Sequence, residues 1–347
     1  FYNILYLNCF MKIKEIKIEE YQKTFISKVN FGRELHDIRK GWYIKIITDE
    51  VTGIGEAAPI PSISTECHSQ AGYALDGFGL ALKDINYDVS NEELLMLSDV
   101  HANQSPSAKF AIQTAIYDVL SKANNKSISE YINLNSEKKI NINSILHDNC
   151  TIDPKDAKIL KVKIHNNNIY DIRETIEKIL KNYPSDIKLR VDFNGSLDLP
   201  KSIRIAHELE QYNIDYLEQP LPPQNLNDSY ELRMNSSIPI AIDEFLTDYF
   251  SAEKIIEESA ADVLIIKPTL SGGYDDIDKI IGLCQQEKIR WIMTSSFETQ
   301  VAQNSILHLI ATYNTKEFCG LFNIKLFSDE VYANIERSKY IITQNKG

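Results

Sequence analysis

From Lys12 to about Asp49 polar and apolar residues alternate, as in IKEIKIEEY and GWYIKIITDE, which is the period of half-buried strands in an antiparallel sheet. The stretch Glu50-Val51-Thr52-Gly53 predicts the turn that closes a hairpin. Between about 66 and 133 the period lengthens. AGYALDGFGLALKDI and SAKFAIQTAIYDVLSKA place apolar residues three and four apart, the signature of amphipathic helices. Residues 11–135 therefore read as an α+β domain. From about Lys139 the pattern changes to short β-branched runs, NINSIL, ILKVKIH, IKLRVDFN, DYLEQP, IPIAIDE, DVLIIKP and RWIMTSS, separated by helical stretches such as YDIRETIEKILKNY and PKSIRIAHELEQY. Strands alternating with helices, at about 25 to 30 residues per unit, predict a parallel sheet closed into a (β/α) barrel over residues 136–325. Residues 326–347 are expected to return to the first domain. The opening FYNILYLNCF, residues 1–10, lies outside the pattern. It is too short to span a bilayer and lacks the basic start and small-residue cleavage site of a signal peptide, so it is expected to be an extension upstream of Met11.

Composition narrows the class of function. At 347 residues the chain exceeds what one core fills, and 43% apolar with 25% charged residues is ordinary globular usage. The 37 Lys plus Arg against 49 Asp plus Glu give a net charge of -12, which repels nucleic acid and anionic membrane surfaces. Neither is an expected partner. Cys9, Cys67, Cys150, Cys284 and Cys319 show neither zinc-ligand spacing nor a disulfide framework, so a reducing cytoplasm is expected.

The chemistry lies at the ends of the strand candidates. Five consecutive runs end in an ionisable residue: Lys163, Asp192, Glu218, Asp243 and Lys267. In a barrel the C-terminal strand ends form one rim, so these residues converge, whereas an open sheet spreads them along an edge. Asp192, Glu218 and Asp243 would repel one another and raise each other's pKa unless a cation neutralises them. All-oxygen ligation favours Mg²⁺; the alternative is that each acid merely caps the helix that follows. In ILKVKIH the period of two puts Lys161 and Lys163 on one side of the strand, into the barrel, with Leu160, Val162 and Ile164 on the other. Barrel interiors are normally apolar, so two lysines there point to function. Lys267 arrives from the opposite arc, and crowded cations beside a metal would lower a lysine pKa toward that of a general base.

LKVKIH, RVDFNG, YLEQPL, AIDEF and IIKPTLSGG, in this order and spacing, resemble the enolase superfamily, specifically its muconate-lactonizing-enzyme-like branch. GIGEAAPIPSIS and PSAKFAIQTAIYDVLSK are similar to the capping domain of that family. The resemblance runs from Met11 over nearly the whole chain. It implies a modified (β/α) TIM-type barrel with an N-terminal α+β cap, Mg²⁺ held by Asp192, Glu218 and Asp243, and Lys163 and Lys267 flanking the substrate on opposite faces. The shared step is removal of a proton alpha to a carboxylate, giving an enediolate stabilised by the metal and neighbouring lysines. The superfamily includes racemases, dipeptide epimerases, cycloisomerases and dehydratases. The Asp-x-Asp signature usual in dipeptide epimerases is missing from FCGLFNIKLFSDE, which argues against that activity. The short cap, TSSFET at 294–299 and GLFNIKLFSDE are most similar to the o-succinylbenzoate synthase family of menaquinone biosynthesis. That resemblance implies a small carboxylate substrate, Lys163 as the base, Lys267 as a stabiliser of the anion and Lys161 as the group that polarises the carboxylate. N-succinylamino acid racemase is the near rival, because a two-base racemase needs the same two lysines. A non-catalytic binding protein is disfavoured by the presence of all three acids and both lysines.

Further residues carry two readings each. Ser295 and Ser296 either bind a substrate carboxylate or close strand ends. Ser271, Gly272 and Gly273 either bring amides to the substrate tail or form a flexible loop. Glu244 follows Asp243 and would point away on a strand, as support behind the ligands or an extra ligand, and Asn194 shares the side of Asp192. Cap loops around Asn30-Phe31-Gly32-Arg33 and Gly53-Ile54-Gly55-Glu56 are expected over the barrel mouth, although the second could be a plain hairpin turn. His207 is expected on an outer helix surface.

Overall fold

The computed structural model describes residues 9–31, 34–85, 87–146, 157–164, 168–321, 326–328, 335–336 and 339–341. A short strand β1 (Phe10–Met11) precedes the long hairpin that the alternating pattern predicts, β2 (Glu15–Phe31) and β3 (Glu34–Ile47). Their antiparallel register pairs Ile16 with Ile46 and Ile18 with Ile44, and β4 (Thr52–Ala57) adds to β3. The turn falls at Thr48–Val51, two residues before the predicted 50–53. Thr48 sets it: its amide donates to Val51 O (3.0 Å), and its hydroxyl accepts from the Glu50 and Val51 amides. The helices are α1 (His68–Ala81), α2 (Asn91–Ala102), α3 (Pro106–Ala123) and α4 (Ile128–Ile132), with β5 (Val89–Ser90) before α2.

Strand pairing reaches into the stretch expected to lie outside the fold. Phe10 pairs with Ser90, and the backbone of Cys9 exchanges hydrogen bonds with Asn91. Cys9 and Met11 also pack on the cap core. Residues 9 and 10 thus belong to the cap, and residues 1–8 lie outside the described residues. The helix α3, begun by Pro106, is buried almost all round because it sits between the cap sheet and the barrel. Gly53 and Gly55 make this approach possible: a Cβ would stand 2.2 Å from Ala115 O and 1.9 Å from Ala111 O respectively. The GIGE stretch is therefore a strand pressed on a helix, not a loop over the mouth.

After β6 (Lys139–Asn141) the strand candidates appear in the predicted order. They are β7 (Ser144–Ile145), β8 (Ile159–Lys163), β9 (Lys188–Asp192), β10 (Ile214–Glu218), β11 (Ile240–Ile242), β12 (Val263–Ile266) and β13 (Arg290–Met293). They form one sheet in sequential, parallel order. Between them run α5 (Ile169–Leu180), α6 (Leu199–Leu209), α7 (Leu226–Met234), α8 (Tyr249–Glu257), the short α9 (Pro268–Ser271) and α10 (Tyr274–Gln286); α11 (Gln300–Thr312) follows β13. The eighth place in the ring is taken by Cys319 and Gly320, through single parallel bridges to Ile142 and Thr294. This is a modified (β/α) barrel with an N-terminal α+β cap. The C-terminal part touches both bodies: Phe327 bridges Phe25 of β2, while β14 (Ile335–Glu336) and β15 (Lys339–Ile341) add to β6.

One apolar core runs from Ile44, Ile46 and Phe78 of the cap through α3 to Tyr274 and Ile306 of the barrel helices. A second lies between β8–β10 and α5–α6. Among the described residues no helix is long and apolar enough to cross a membrane.

Candidate active site

Strand register brings the charges to one level. Lys163, Asp192 and Glu218 are the last residues of β8, β9 and β10, and the ladder aligns Lys163 with Asp192 and Asp192 with Glu218. Asp243 and Lys267 follow one residue past β11 and β12. In a ring of eight places, β8 and β12 are four apart, so Lys163 and Lys267 face each other across the mouth. The period of two works as predicted on β8: Leu160, Val162 and Ile164 are buried in the outer core, and Lys161 turns inward.

Lys161 Nζ donates to Glu218 Oε1 at 2.6 Å and stands 3.1 Å from Asp192 Oδ2. Lys267 Nζ holds both oxygens of Asp243, at 2.5 and 2.7 Å. Lys163 Nζ is 3.9 Å from Asp192 Oδ2, and its side chain is the most open of the three, 37% exposed against 21% for Lys267 and 14% for Lys161. Burial, and the Asp192 and Asp243 charges against the pull of Lys161, push the Glu218 carboxyl up to about 8. Asp192 stays below the usual range: burial works upward, but Lys161, Lys163 and the Asn194 amide outweigh it. The carboxylates hold Lys161 and Lys267 above the ordinary lysine range, whereas the depression expected beside a metal concerns the cation-loaded site. Burial alone would lower them, and the facing carboxylates, Asp192 and Glu218 for one and Asp243 for the other, win.

The donor set suits a hard divalent cation. Asp192 Oδ2, Glu218 Oε2 and Asp243 Oδ1 are buried and accept no hydrogen bond among the described residues, although the two aspartate oxygens lie within ion-pair distance of an ammonium. No three His, Cys, Asp or Glu side chains among the described residues converge closely enough to hold an ion as they stand, because the acids are paired with lysines. The fit is therefore one of donor chemistry, three buried carboxylates on adjacent strand ends, of which Glu218 keeps Oε2 clear of both hydrogen bonds and ammonium groups among the described residues.

Around these acids the backbone leaves ordinary strand geometry. Asn194 and Gln219 have φ of 45° and 38°. The Asn194 amide donates to Asp192 Oδ1 (3.0 Å), and its side chain donates to Glu244 Oε1 (2.9 Å). Glu244 thus turns toward the site rather than away, because β11 ends at Ile242 and the alternation stops with it. Its carboxyl is pushed up to about 7 by burial and by Asp243. Gln219, unremarked in the sequence, accepts from the Asp243 and Glu244 amides at 3.0 and 3.1 Å and so fixes the ligand-bearing turn. The only signal was its place directly after a strand-end acid.

The flanking loops separate the two readings given to them. Ser295 closes the barrel seam, its amide and hydroxyl both donating to Gly320 O, whereas Ser296 Oγ and Ser271 Oγ are buried without a hydrogen-bond partner among the described residues. Gly272, at φ 127°, and Gly273 form the turn between α9 and α10, and the Gly273 amide is taken by Asp276. His207 lies exposed on α6 beside Glu210, as expected. Phe31 packs against Phe297 over the barrel loops, while Gly32 and Arg33 lie outside the described residues, as do 322–325 of the FCGLFNIKLFSDE stretch. The bonding of two buried cap residues, Arg39 and Glu56, is not readable from the sequence because most of their partners are far along the chain. Arg39 donates to the carbonyls of Ala58, Pro59, Ser296 and Phe297, and Glu56 accepts from Tyr21, Ala302 and both the amide and hydroxyl of Thr299.

Comparison with known proteins agrees with this architecture. The chain is 25% identical over 319 residues to L-Ala-D/L-Glu epimerase of Clostridium acetobutylicum, covering 87% of each. It is 22% identical over 329 residues to o-succinylbenzoate synthase of Desulfotalea psychrophila, covering 85% of this chain and 89% of that one. A dipeptide epimerase of Enterococcus faecalis, solved with Mg and the dipeptide L-Leu-L-Tyr, superposes with a TM-score of 0.78 at 21% identity over 90% of each chain. The family model for the enolase C-terminal domain-like proteins matches residues 151–337, more than half of the sequence, and the chain belongs to that family.

Proposed function

We propose that this chain is a Mg²⁺-dependent o-succinylbenzoate synthase, dehydrating 2-succinyl-6-hydroxy-2,4-cyclohexadiene-1-carboxylate to o-succinylbenzoate. The observation that carries the proton-abstraction part is the ring of Lys163, Asp192, Glu218, Asp243 and Lys267 at one level of the barrel mouth, with Lys161 below it and Lys163 the most open ammonium. The substrate part is supported by TSSFET at 294–299, by the missing Asp-x-Asp and by the likeness to the Desulfotalea enzyme. Asp192, Glu218 and Asp243 would hold the ion, which when bound supplies a Lewis acid for the substrate carboxylate.

Lys163, in its neutral form, takes the proton alpha to the carboxylate. Electrons of that C–H bond enter the ring system as the C–O bond to the hydroxyl breaks, and the ammonium of Lys163 returns the proton to the departing oxygen, giving water. Lys161, below it, faces the carboxylate end of the substrate. Lys267, across the mouth, meets the anionic face with its positive charge. Asn194, Gln219 and Glu244 hold the turns that carry the acids.

Incubation with the cyclohexadiene substrate and Mg²⁺ should show rapid loss of diene absorbance. EDTA should abolish it, added Mg²⁺ should restore it, and Lys163→Ala should lower kcat about 10²–10⁴-fold. No turnover by folded protein would sink the substrate assignment, and turnover of N-succinylamino acids or dipeptides instead would make the chain a racemase or epimerase.

A further inference from the structure

We propose that Glu298 is a positioning residue that locks the loop after β13 to the turn carrying Lys267, and that Arg39 sets this lock from the cap. The inference rests on reading Lys267 as one of the two lysines that face the substrate. Glu298 is fully buried. Its Oε1 accepts from the hydroxyl of Thr269 at 2.5 Å, its Oε2 accepts from the amide of Ser296 at 2.6 Å, and its carbonyl accepts from Gln303 Nε2. Thr269, itself buried, is the second residue of α9, whose N-cap is Lys267; the Leu270 and Ser271 amides close that turn on Lys267 O at 2.8 and 3.0 Å. One carboxylate thus spans the two loops that flank the mouth on this side.

A charge in the interior costs stability that an apolar residue of similar volume would not, so its presence there calls for a role beyond packing. The neighbouring backbone gives that role a shape. Phe297 has φ 62°, a left-handed conformation that is unfavourable for a non-glycine residue and persists only where its surroundings over-determine it. Those surroundings come from the cap: Arg39 Nε donates to Phe297 O at 3.1 Å, Arg39 also reaches Ser296 O, and Phe25 and Phe31 pack on the Phe297 ring. Arg39 is anchored in turn on Ala58 and Pro59 carbonyls of the cap. The chain Arg39, Ser296–Phe297, Glu298, Thr269, Lys267 therefore makes the placement of a mouth lysine depend on a docked cap.

Hydrogen–deuterium exchange by mass spectrometry on the full chain tests the lock without any substrate. In Glu298→Ala, peptides spanning 267–273 and 294–300 should both exchange about tenfold faster, and Arg39→Met should loosen the same two segments. Faster exchange in only one segment, or in neither, with the fold intact by circular dichroism overturns the proposal. Should Glu298→Ala fail to fold, Thr269→Val, which deletes one hydroxyl at constant shape, gives the same decision. Turnover of the cyclohexadiene substrate adds a readout that plain loss of packing does not move. Thr269→Val and Glu298→Ala should lower kcat about tenfold or more with KM within about threefold, because a misplaced lysine is felt in the transition state. Glu298→Gln, which still accepts from Ser296 and can donate to Thr269, should recover most of kcat; damage equal to that of Glu298→Ala overturns the proposal. If the wild type does not turn this substrate over, the assignment of function fails and the exchange result alone decides the lock.

Discussion

Lys163 and Lys161 differ by two positions and by their whole environment: the lower ammonium is tied to Glu218 and Asp192, and the upper one reaches the opening with a single distant acid. The shared inward aim of the two was legible in the sequence, because a period of two is all that is needed to turn both side chains into the barrel; their different partners were not. Glu244 was misread for the same reason in reverse, since periodicity was carried two residues past the end of β11. Gln219, Arg39, Glu56 and Glu298 were not legible. Their roles depend on backbone atoms of other loops, which leave no trace in residue type or spacing. Gly55 shows how sharply a single atom can matter. Gly55→Ala would drive a methyl group into Ala111 O, so it should destabilise the protein by about 1–3 kcal/mol, read as a lowered urea midpoint at unchanged m.

Among the elements, α3 holds the two bodies together, and its one buried cation shows how. Lys109 Nζ lies within 3.0 Å of Asp99, Asp275 and Asp276, the last two in the first turn of α10. Gln113, one turn on, donates to Asp275 and accepts from the Tyr274 amide. Burial, which by itself would lower the Lys109 pKa, is outweighed by Asp275, Asp276 and Asp99, so the ammonium is held above its ordinary range. Asp275 is held below its own, with burial pushing upward and Lys109 pulling harder downward. A depressed carboxyl contributes stability above its unfolded pKa of about 4 and loses it as pH falls through the folded value. A raised lysine contributes below about 10.4 and loses it as pH rises through its folded value. The clasp therefore works across the whole neutral range. Lys109→Met should cost about 1–3 kcal/mol at pH 7, since it strands three acids, and the gap to wild type should narrow below about pH 4 as Asp275 protonates. Urea unfolding at pH 7 and pH 3 measures it. The helices and strands themselves were well signalled, yet this cross-domain pairing was not, because its partners stand on elements far apart in the chain.

At the scale of the molecule, cap and barrel share one continuous apolar core through α3. Heating should accordingly give a single calorimetric transition with agreeing calorimetric and van't Hoff enthalpies, and two separated transitions would mean the shared core is not cooperative. The barrel was predicted from seven strand runs; its eighth place was pointed to only by the resemblance of FCGLFNIKLFSDE, since two bridging residues are too few to set up a period. That place has a kinetic meaning. Strands β7 to β13 are each built beside their sequence neighbour, so the sheet can grow stepwise from local contacts. Bringing Cys319 to Ile142 instead closes a loop around the entire barrel domain for only one bridge, with a second at Gly320. Such a junction forms late and parts early. Arg190, buried inside the ring, grips both of its sides at once, donating from Nη1 to Asn143 Oδ1 at 3.0 Å and to Phe318 O at 2.6 Å while Nε holds Asp215. The barrel is in this sense an open ribbon fastened by a buckle, and one guanidinium is its pin.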